Sequence, residues 1–200
     1  IVLSHPCYGP LDPTINKALR VAMMSATKVA QWVGDASAIR QGWVGARNKA
    51  VEETLENVPE ADGIVWVDDD VLLPSTAIER LISYDLDFVT GVVYQKFGEF
   101  NPLVADWSGK GYQWWRTYPE NMLCPAAGCG FGIVYTSTKM LRAIAALPPV
   151  CGKGYVYCKK DGWFDQFPGD WFGGPNADTA MSEAFSFCRR AAAAGFPLYA

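Results

Sequence analysis

An α/β domain with a mostly parallel central sheet is the fold this sequence predicts, and three observations predict it. Short apolar runs bounded by Gly, Pro and polar clusters recur along the first half, as buried strands do. Segments with apolar residues at helical spacing lie between them. Their order is strand, helix, helix, strand, helix, strand, which is the alternation of a domain built on a mainly parallel sheet. The chain has 200 residues, enough for one substantial domain and short for two.

Ile1 to His5 is an apolar run closed by Pro6 and Gly9, a strand leading into a loop. From Thr14 to about Trp32, the residues Ile15, Leu19, Ala22, Met23 and Ala26 share one helical face. A second helix is expected from Ser37 to Glu56, with Trp43, Ala46, Ala50, Val51 and Leu55 turned inward. Gly63 to Val67 (GIVWV) reads as a fully buried strand. Ser75 is placed to cap a short helix carrying Ile78, Leu81 and Ile82. Asp87 to Tyr94 (DFVTGVVY) is the next strand.

After Gln95 the texture changes. Residues 96–127 scatter Phe, Trp and Tyr among Gly and Pro, which predicts short antiparallel strands and loops. Cys129 to Tyr135 (CGFGIVY) is a strand and Ser137 to Ala146 a helix, followed by a Gly-, Pro- and aromatic-rich loop over 147–180. Met181 to Ala194 is a last helix ended by Gly195, and Phe196 to Tyr199 starts a further strand. The organisation is one domain, 1–200, in two halves, 1–95 and 96–200, with no linker between them.

Bulk chemistry excludes several classes. Net charge is -4, the opposite of a nucleic-acid footprint. No apolar run approaches the roughly 18 residues of a membrane span, and no secretory leader is recognisable, so a cytoplasmic protein is expected. Six cysteines in a large, core-rich chain point to reduced thiols rather than a disulfide framework. With His5 the sole histidine and no Cys-x-x-Cys pair, a structural zinc site is disfavoured. A histidine-based catalytic unit would have to use His5. The sequence lacks an initiator Met and is expected to be a piece of a longer chain.

The strand at Gly63 ends in three aspartates, Asp68, Asp69 and Asp70, after which apolar residues resume at once with Val71. Two like charges about 4 Å apart repel by roughly 1 kcal/mol in water and several times more in a partly buried site. An exposed turn would screen them. A bound cation would offset them, and the carboxyl edge of a central strand is where open α/β sheets bind ligands. On an extended segment alternate side chains share a face, so Asp68 and Asp70 would point together and Asp69 away. Two carboxylates suit Mg²⁺ or Mn²⁺, which complete their shells with water and phosphate.

In order along the chain stand the Pro6-Cys7-Tyr8-Gly9 loop, Ala46-Arg47-Asn48, the aspartate run, Thr90-Gly91-Val92-Val93-Tyr94, the stretch Ala127 to Gly132, and Ser182-Glu183-Ala184-Phe185-Ser186-Phe187-Cys188. This set resembles glycosyltransferases of the GT-A type, closest to family 2, with Asp68-Asp69-Asp70 matching the family's DxD motif. The resemblance implies a Rossmann-like three-layer αβα sandwich with a central, mostly parallel mixed sheet. It implies transfer of a sugar from a nucleotide-diphosphate donor, most commonly UDP, to an acceptor hydroxyl with inversion, using Mn²⁺ or Mg²⁺. Residues 1–95 would bind nucleotide and 96–200 the acceptor. By carry-over, Asp68 and Asp70 would hold the metal, with Asp68 and Asp69 near the nucleoside. Pro6, Tyr8, Gly9 and Arg47 would line the nucleotide site.

The chain departs from the family in one telling place. Inverting members carry a carboxylate base at the start of the late helix, where this chain has Ala184. Glu183 or Asp178 would have to replace it. Many members also supply a late histidine to the metal, and this chain stops before that point. Trp171, in a Gly-flanked loop, and Gly130, where backbone comes close, are candidates for acceptor contact. Trp114 and Trp115 read better as a satellite apolar cluster. Two other readings stay open. One is a nucleotidyltransferase, which Pro6 to Pro10 fits poorly for want of a basic residue. The other is a transferase-fold module that binds nucleotide or glycan without turnover, which Ala184 favours.

Overall fold

The computed structural model describes residues 1–6, 11–36, 43–96, 100–147, 162–164 and 182–200. Strand β1 (Val2–Ser4) leads to helix α1 (Pro13–Ala26), β2 (Gly34–Asp35), α2 (Trp43–Asn57) and β3 (Gly63–Val67). Then come α3 (Ala77–Ser83), β4 (Phe88–Thr90), β5 (Val104–Trp107), β6 (Tyr112–Trp114), β7 (Pro125–Ala126), β8 (Gly128–Cys129) and β9 (Ile133–Ser137). Helices α4 (Thr138–Ala145) and α5 (Glu183–Ala193) precede the last strand, β10 (Leu198–Tyr199).

The main sheet has seven strands in the order β2-β1-β3-β9-β4-β10-β7. Parallel pairing joins β2, β1 and β3, while β9 enters antiparallel between β3 and β4. Strand β10 lies parallel to β4 and β7 antiparallel to β10. Tracing these pairings, β9 and β7 run against the other strands, so the sheet is mixed and Rossmann-like. Alternate residues of β3 face opposite sides. Ile64 and Trp66 pack with α2, α4 and α5, and Val65 and Val67 with α1 and α3. Helices thus cover both faces, giving three layers. A small antiparallel sheet, β6-β5-β8, stands beside the main one.

Local chemistry explains most boundaries. Asp12 accepts from the N–H groups of Thr14 and Ile15 and caps α1, with Pro13 at the first helical position. These two backbone hydrogen bonds hold its carboxyl below the ordinary value. Ser137 caps α4 by accepting from the Met140 N–H at 3.0 Å, and its hydroxyl donates to Asp87 at 2.6 Å. Helix α5 closes in a Schellman turn. Gly195, at φ +87°, donates to Ala192 and Phe196 donates to Ala191.

Four sequence expectations change. Helix α1 stops at Ala26, not near Trp32, because the chain must reach β2, which a two-residue strand announces too weakly to read. Ser75 does not cap α3; Thr76 takes that place without a side-chain bond, and Pro74 starts the turn by accepting from the Ala77 N–H. The DFVTGVVY strand pairs only over Phe88–Thr90, with an isolated bridge from Tyr94 to Pro102. The CGFGIVY strand is two strands in two sheets, β8 and β9, joined across Gly130 to Gly132. The expected helix start at Ser37 and the Trp43 side chain lie outside the described residues.

Close packing makes two glycines opposite in kind. A Cβ on Gly63 would lie 2.5 Å from the Thr136 carbonyl oxygen and 2.6 Å from the Tyr135 ring, whereas one on Gly45 would meet nothing within 4 Å. Gly63→Ala is expected to lower unfolding free energy by about 2 kcal/mol through overpacking. Gly45→Ala, in the first turn of α2, should raise it by about 0.5–1 kcal/mol. Urea unfolding of the two variants tests this packing, since equal shifts would contradict it.

Candidate functional site

The site starts from the turn of helix α2. Ala46, Ala50, Val51 and Thr54 are buried against the sheet, and Arg47 belongs to the same inward face, with only 3% of its surface exposed. Its neighbours divide the Ala46-Arg47-Asn48 triplet by function. Asn48 accepts from the Phe164 N–H at 3.0 Å and so ties residues 162–164 to α2. Arg47 lays its guanidinium over the rings of Phe131 and Phe164, 5.1 and 5.7 Å from their centroids. There Nη2 donates to Asp68 Oδ1 at 2.8 Å and Nη1 donates to Glu183 Oε1 at 2.9 Å. A surface arginine in water is therefore excluded.

Asp68 follows directly on β3. Its N–H donates to the Gly132 carbonyl, and its own carbonyl accepts from the Val71 N–H at 3.4 Å. Residues 68–71 thus form a turn rather than the extended segment that the alternation argument assumed. Asp68 and Asp70 nevertheless line the same cleft, because the turn curls both toward it. The Asp68 side chain keeps 32% of its surface exposed and Glu183 keeps 13%. Burial pushes the Asp68 carboxyl up, the charge and hydrogen bond of Arg47 oppose that, and Asp70 and Asp69 add to the rise. Asp70 is 51% exposed and pairs with Lys96 Nζ at 3.4 Å.

The cleft encloses about 420 Å³, with Arg47, Asp68, Asp70, Lys96 and Glu183 as its charged walls. Gly130 and Ala184 also line it. Glu183 opens α5 behind the cap Ser182, whose hydroxyl accepts from the Phe185 N–H at 3.5 Å. Pro6 is buried at the end of β1 and is not among the cleft-lining residues. Asp69 is half-buried in the turn. Tyr8, Gly9, Trp171 and Asp178 lie outside the described residues. Trp114 packs edge-on against Phe185 at 5.2 Å in a satellite aromatic cluster but also lines the cleft, whereas Trp115 stacks on Tyr118. A second hollow of about 320 Å³ opens on the α3 side of the same turn and shares Val71 and Val93 with the cleft.

Sequence reasoning missed Lys96, Phe131 and Phe164. Lys96 had a usable signal, since it stands just past a strand parallel to β3, at the same sheet edge as the aspartates. Phe164 stood out only as one aromatic of the Gly-rich segment Trp163-Phe164, because only the fold brings it beneath Arg47.

Among the described residues, no three His, Cys, Asp or Glu side chains are grouped to hold a metal ion unaided. Two carboxylates with phosphate oxygens would suffice for Mg²⁺ or Mn²⁺. The donor set fits that need. Asp70 is half-exposed and, among the described residues, held by a long contact to Lys96, and Arg47 engages one oxygen of Asp68.

No family model matches the chain, and no curated protein matches it. It is similar to a solved structure, the crystal structure of A197 from STIV, with a TM-score of 0.51 at 15% identity. That likeness covers 99% of this chain and 79% of that one. At this identity it supports the mixed α/β fold alone. No helix among the described residues is long and apolar enough to cross a membrane.

Removing the cation tests the electrostatics directly. Arg47→Met strands two carboxylates, which costs roughly 3–5 kcal/mol for a fully buried pair and less where one partner reaches water. About 3 kcal/mol is expected at pH 7. Asp68 is already raised, so the fold binds its proton more tightly than the unfolded chain does. Its charge therefore costs stability as pH rises from the ordinary carboxylate range, about 3.9, through the raised value. Loss of Arg47 enlarges that cost, so the variant's deficit should shrink at pH 4. Equal deficits at both pH values in metal-free urea titrations would disprove the charge origin.

Proposed function

We propose that the chain is a metal-dependent glycosyltransferase of the GT-A type that moves a sugar from a nucleoside-diphosphate donor to an acceptor hydroxyl. One observation carries this reading. Asp68 and Asp70 stand together at the carboxyl end of β3, in a cleft that also holds Lys96. The strand order supports it. The sheet turns back at β1, with β2 on one side and β3 on the other, and such switch points are where α/β sheets take nucleotides.

The residues divide the work as follows. Asp70 supplies the more accessible carboxylate for Mn²⁺ or Mg²⁺, and Asp68 the second. The metal, when bound, supplies Lewis-acid stabilisation of the leaving diphosphate. Lys96 turns from Asp70 to phosphate and adds a fixed positive charge. Tyr8 and Gly9, which follow β1 in the sequence, fall to the nucleoside, with UDP the first nucleotide to try. Glu183 is the carboxylate at hand for the acceptor proton, through the oxygen that Arg47 does not hold. Asp178 is the second candidate base.

A specific observation favours the non-catalytic alternative. Ala184 is buried and lines the cleft where the family has its base, and Glu183 is already neutralised by Arg47. Slow hydrolysis of the donor separates the two readings, because a binding module would leave the donor intact.

Calorimetric titration of UDP and GDP, each with and without Mn²⁺, is the direct test. Binding of one nucleotide is expected only with the metal, weakened at least about tenfold in Asp70→Ala. Lys96→Ala should weaken it by roughly tenfold, the worth of one charge-assisted hydrogen bond. Metal-independent binding, or equal binding in Asp70→Ala, would sink the assignment.

A further inference from the structure

Two cysteines that the cleft does not use face each other across the interior. Cys129 in β8 and Cys188 in α5 are 59 positions apart in sequence, yet their sulfurs lie 3.9 Å apart. Both are free thiols in the structure, with 0% and 2% of their surfaces exposed. The Cys188 Sγ also lies 3.9 Å from the Cys129 carbonyl oxygen, so strand backbone and helix side chain are in direct contact.

What holds the two elements this close is the residue before Cys129. A Cβ on Gly128 would sit 2.4 Å from the Phe185 ring. Only glycine lets α5 seat so deeply on β8, and that seating brings the sulfurs to van der Waals contact. A disulfide needs its Cα atoms roughly 4.4–6.8 Å apart, which is a demand on the backbone; χ1 rotation then closes sulfurs already in contact to bonding distance.

We propose that Cys129 and Cys188 form an intrachain disulfide that clamps α5 to β8. The co-reactant is a low-molecular-weight disulfide. One cysteine thiolate attacks it, forming a mixed disulfide and releasing one small thiolate. The second cysteine then attacks the mixed disulfide at the protein sulfur and releases the other. The two protein thiols lose two electrons, the small disulfide gains them, and the two cysteine protons pass to the released thiols.

Burial sets when the bond forms. The Cys129 thiol is pushed up by loss of water and by its hydrogen bond with Cys188, so in the docked state it holds its proton and reacts slowly. Oxidation is fast before α5 closes on β8, and burial then shields the bond from reduction. This departs from the reduced state that composition alone suggests. Its consequence reaches the cleft, since Glu183 opens the same helix five residues earlier, and Gly130 follows Cys129.

The whole chain is unfolded and refolded twice, once with glutathione disulfide and once with a dithiol reductant. Remaining thiols are then alkylated in denaturant and the digest is mapped. The expected result is a linked Cys129–Cys188 peptide in the oxidised sample only. Its thermal midpoint should lie about 5–10 °C above the reduced one, as closing a loop of this length implies. The rise should vanish in Cys188→Ser, and equally in Cys129→Ala if the first variant folds poorly. Alkylation of both cysteines after oxidative refolding, or linkage of either to another cysteine, overturns the proposal. A linked pair without the rise overturns the clamp.

Discussion

The arrangement of the cleft depends on one desolvated cation. Arg47 sits over two phenyl rings, almost out of water, and its planar fork reaches one carboxylate at the end of β3 and another at the start of α5. Two consecutive elements, α2 and β3, are thereby fixed to α5, whose Glu183 lies 136 residues from Arg47. A guanidinium suits this task because it stays charged when buried and presents parallel donors in a rigid plane. The aromatic faces add attraction of roughly 0.5–2 kcal/mol that a solvated arginine lacks. Without its carboxylates the buried charge would be untenable, and without the charge the Asp68 carboxyl would be pushed up further by its burial. The three groups therefore stand or fall together, and Asp68 and Glu183 hold their relative positions before any ligand arrives.

The aromatic floor beneath Arg47 makes this possible. Trp66 lies in the fully buried strand β3 and satisfies its indole N–H on the Thr136 hydroxyl at 2.8 Å. Phe131 and Phe164 meet it edge-on, and Phe164 stacks on Phe187 of α5 with centroids 4.5 Å apart. Large rings with few rotamers make a stiff support. The same cluster carries α5 into contact with β8, so the packing that seats the arginine is continuous with the packing that brings Cys188 to Cys129. Rigidity of the cleft wall and proximity of the two sulfurs have one cause.

How much of this the sequence showed follows from the range of each interaction. Strand β3 was legible because five consecutive apolar residues mean burial on both faces, and α5 because Gly195 ends its periodicity. Strand β2 was not, since two residues of Gly and Asp carry no pattern and are held in place by pairing with β1. The aspartates announced themselves by charge alone, but their geometry did not. A turn bonded from Val71 to Asp68 replaces the expected pleat, and it brings Asp68 and Asp70 to the cleft by a different route. Arg47 was singled out, but its partner Glu183 is 136 residues away, a contact that only tertiary packing creates. Lys96 was overlooked although its position just beyond a parallel strand is informative.

Charge balance gives the proposed function its physical sense. Arg47 is paired with Asp68 and Glu183 through its two terminal nitrogens, which leaves that triad one formal negative charge in excess. Asp70 and Lys96 are balanced against each other across a long contact. A bare diphosphate would bring charge of the same sign as the excess, and a bare cation would find too few ligands. A cation carrying a diphosphate meets neither objection. The carboxylate of Asp70 exchanges the ammonium for the metal, the ammonium exchanges the carboxylate for phosphate, and no new charge is left unpaired. The buried triad does not have to rearrange for this to happen, because Arg47 spends both its terminal nitrogens on holding the walls apart at a fixed width. On this reading the arginine contributes by holding two carboxylates in place, and the exposed pair beside it does the binding.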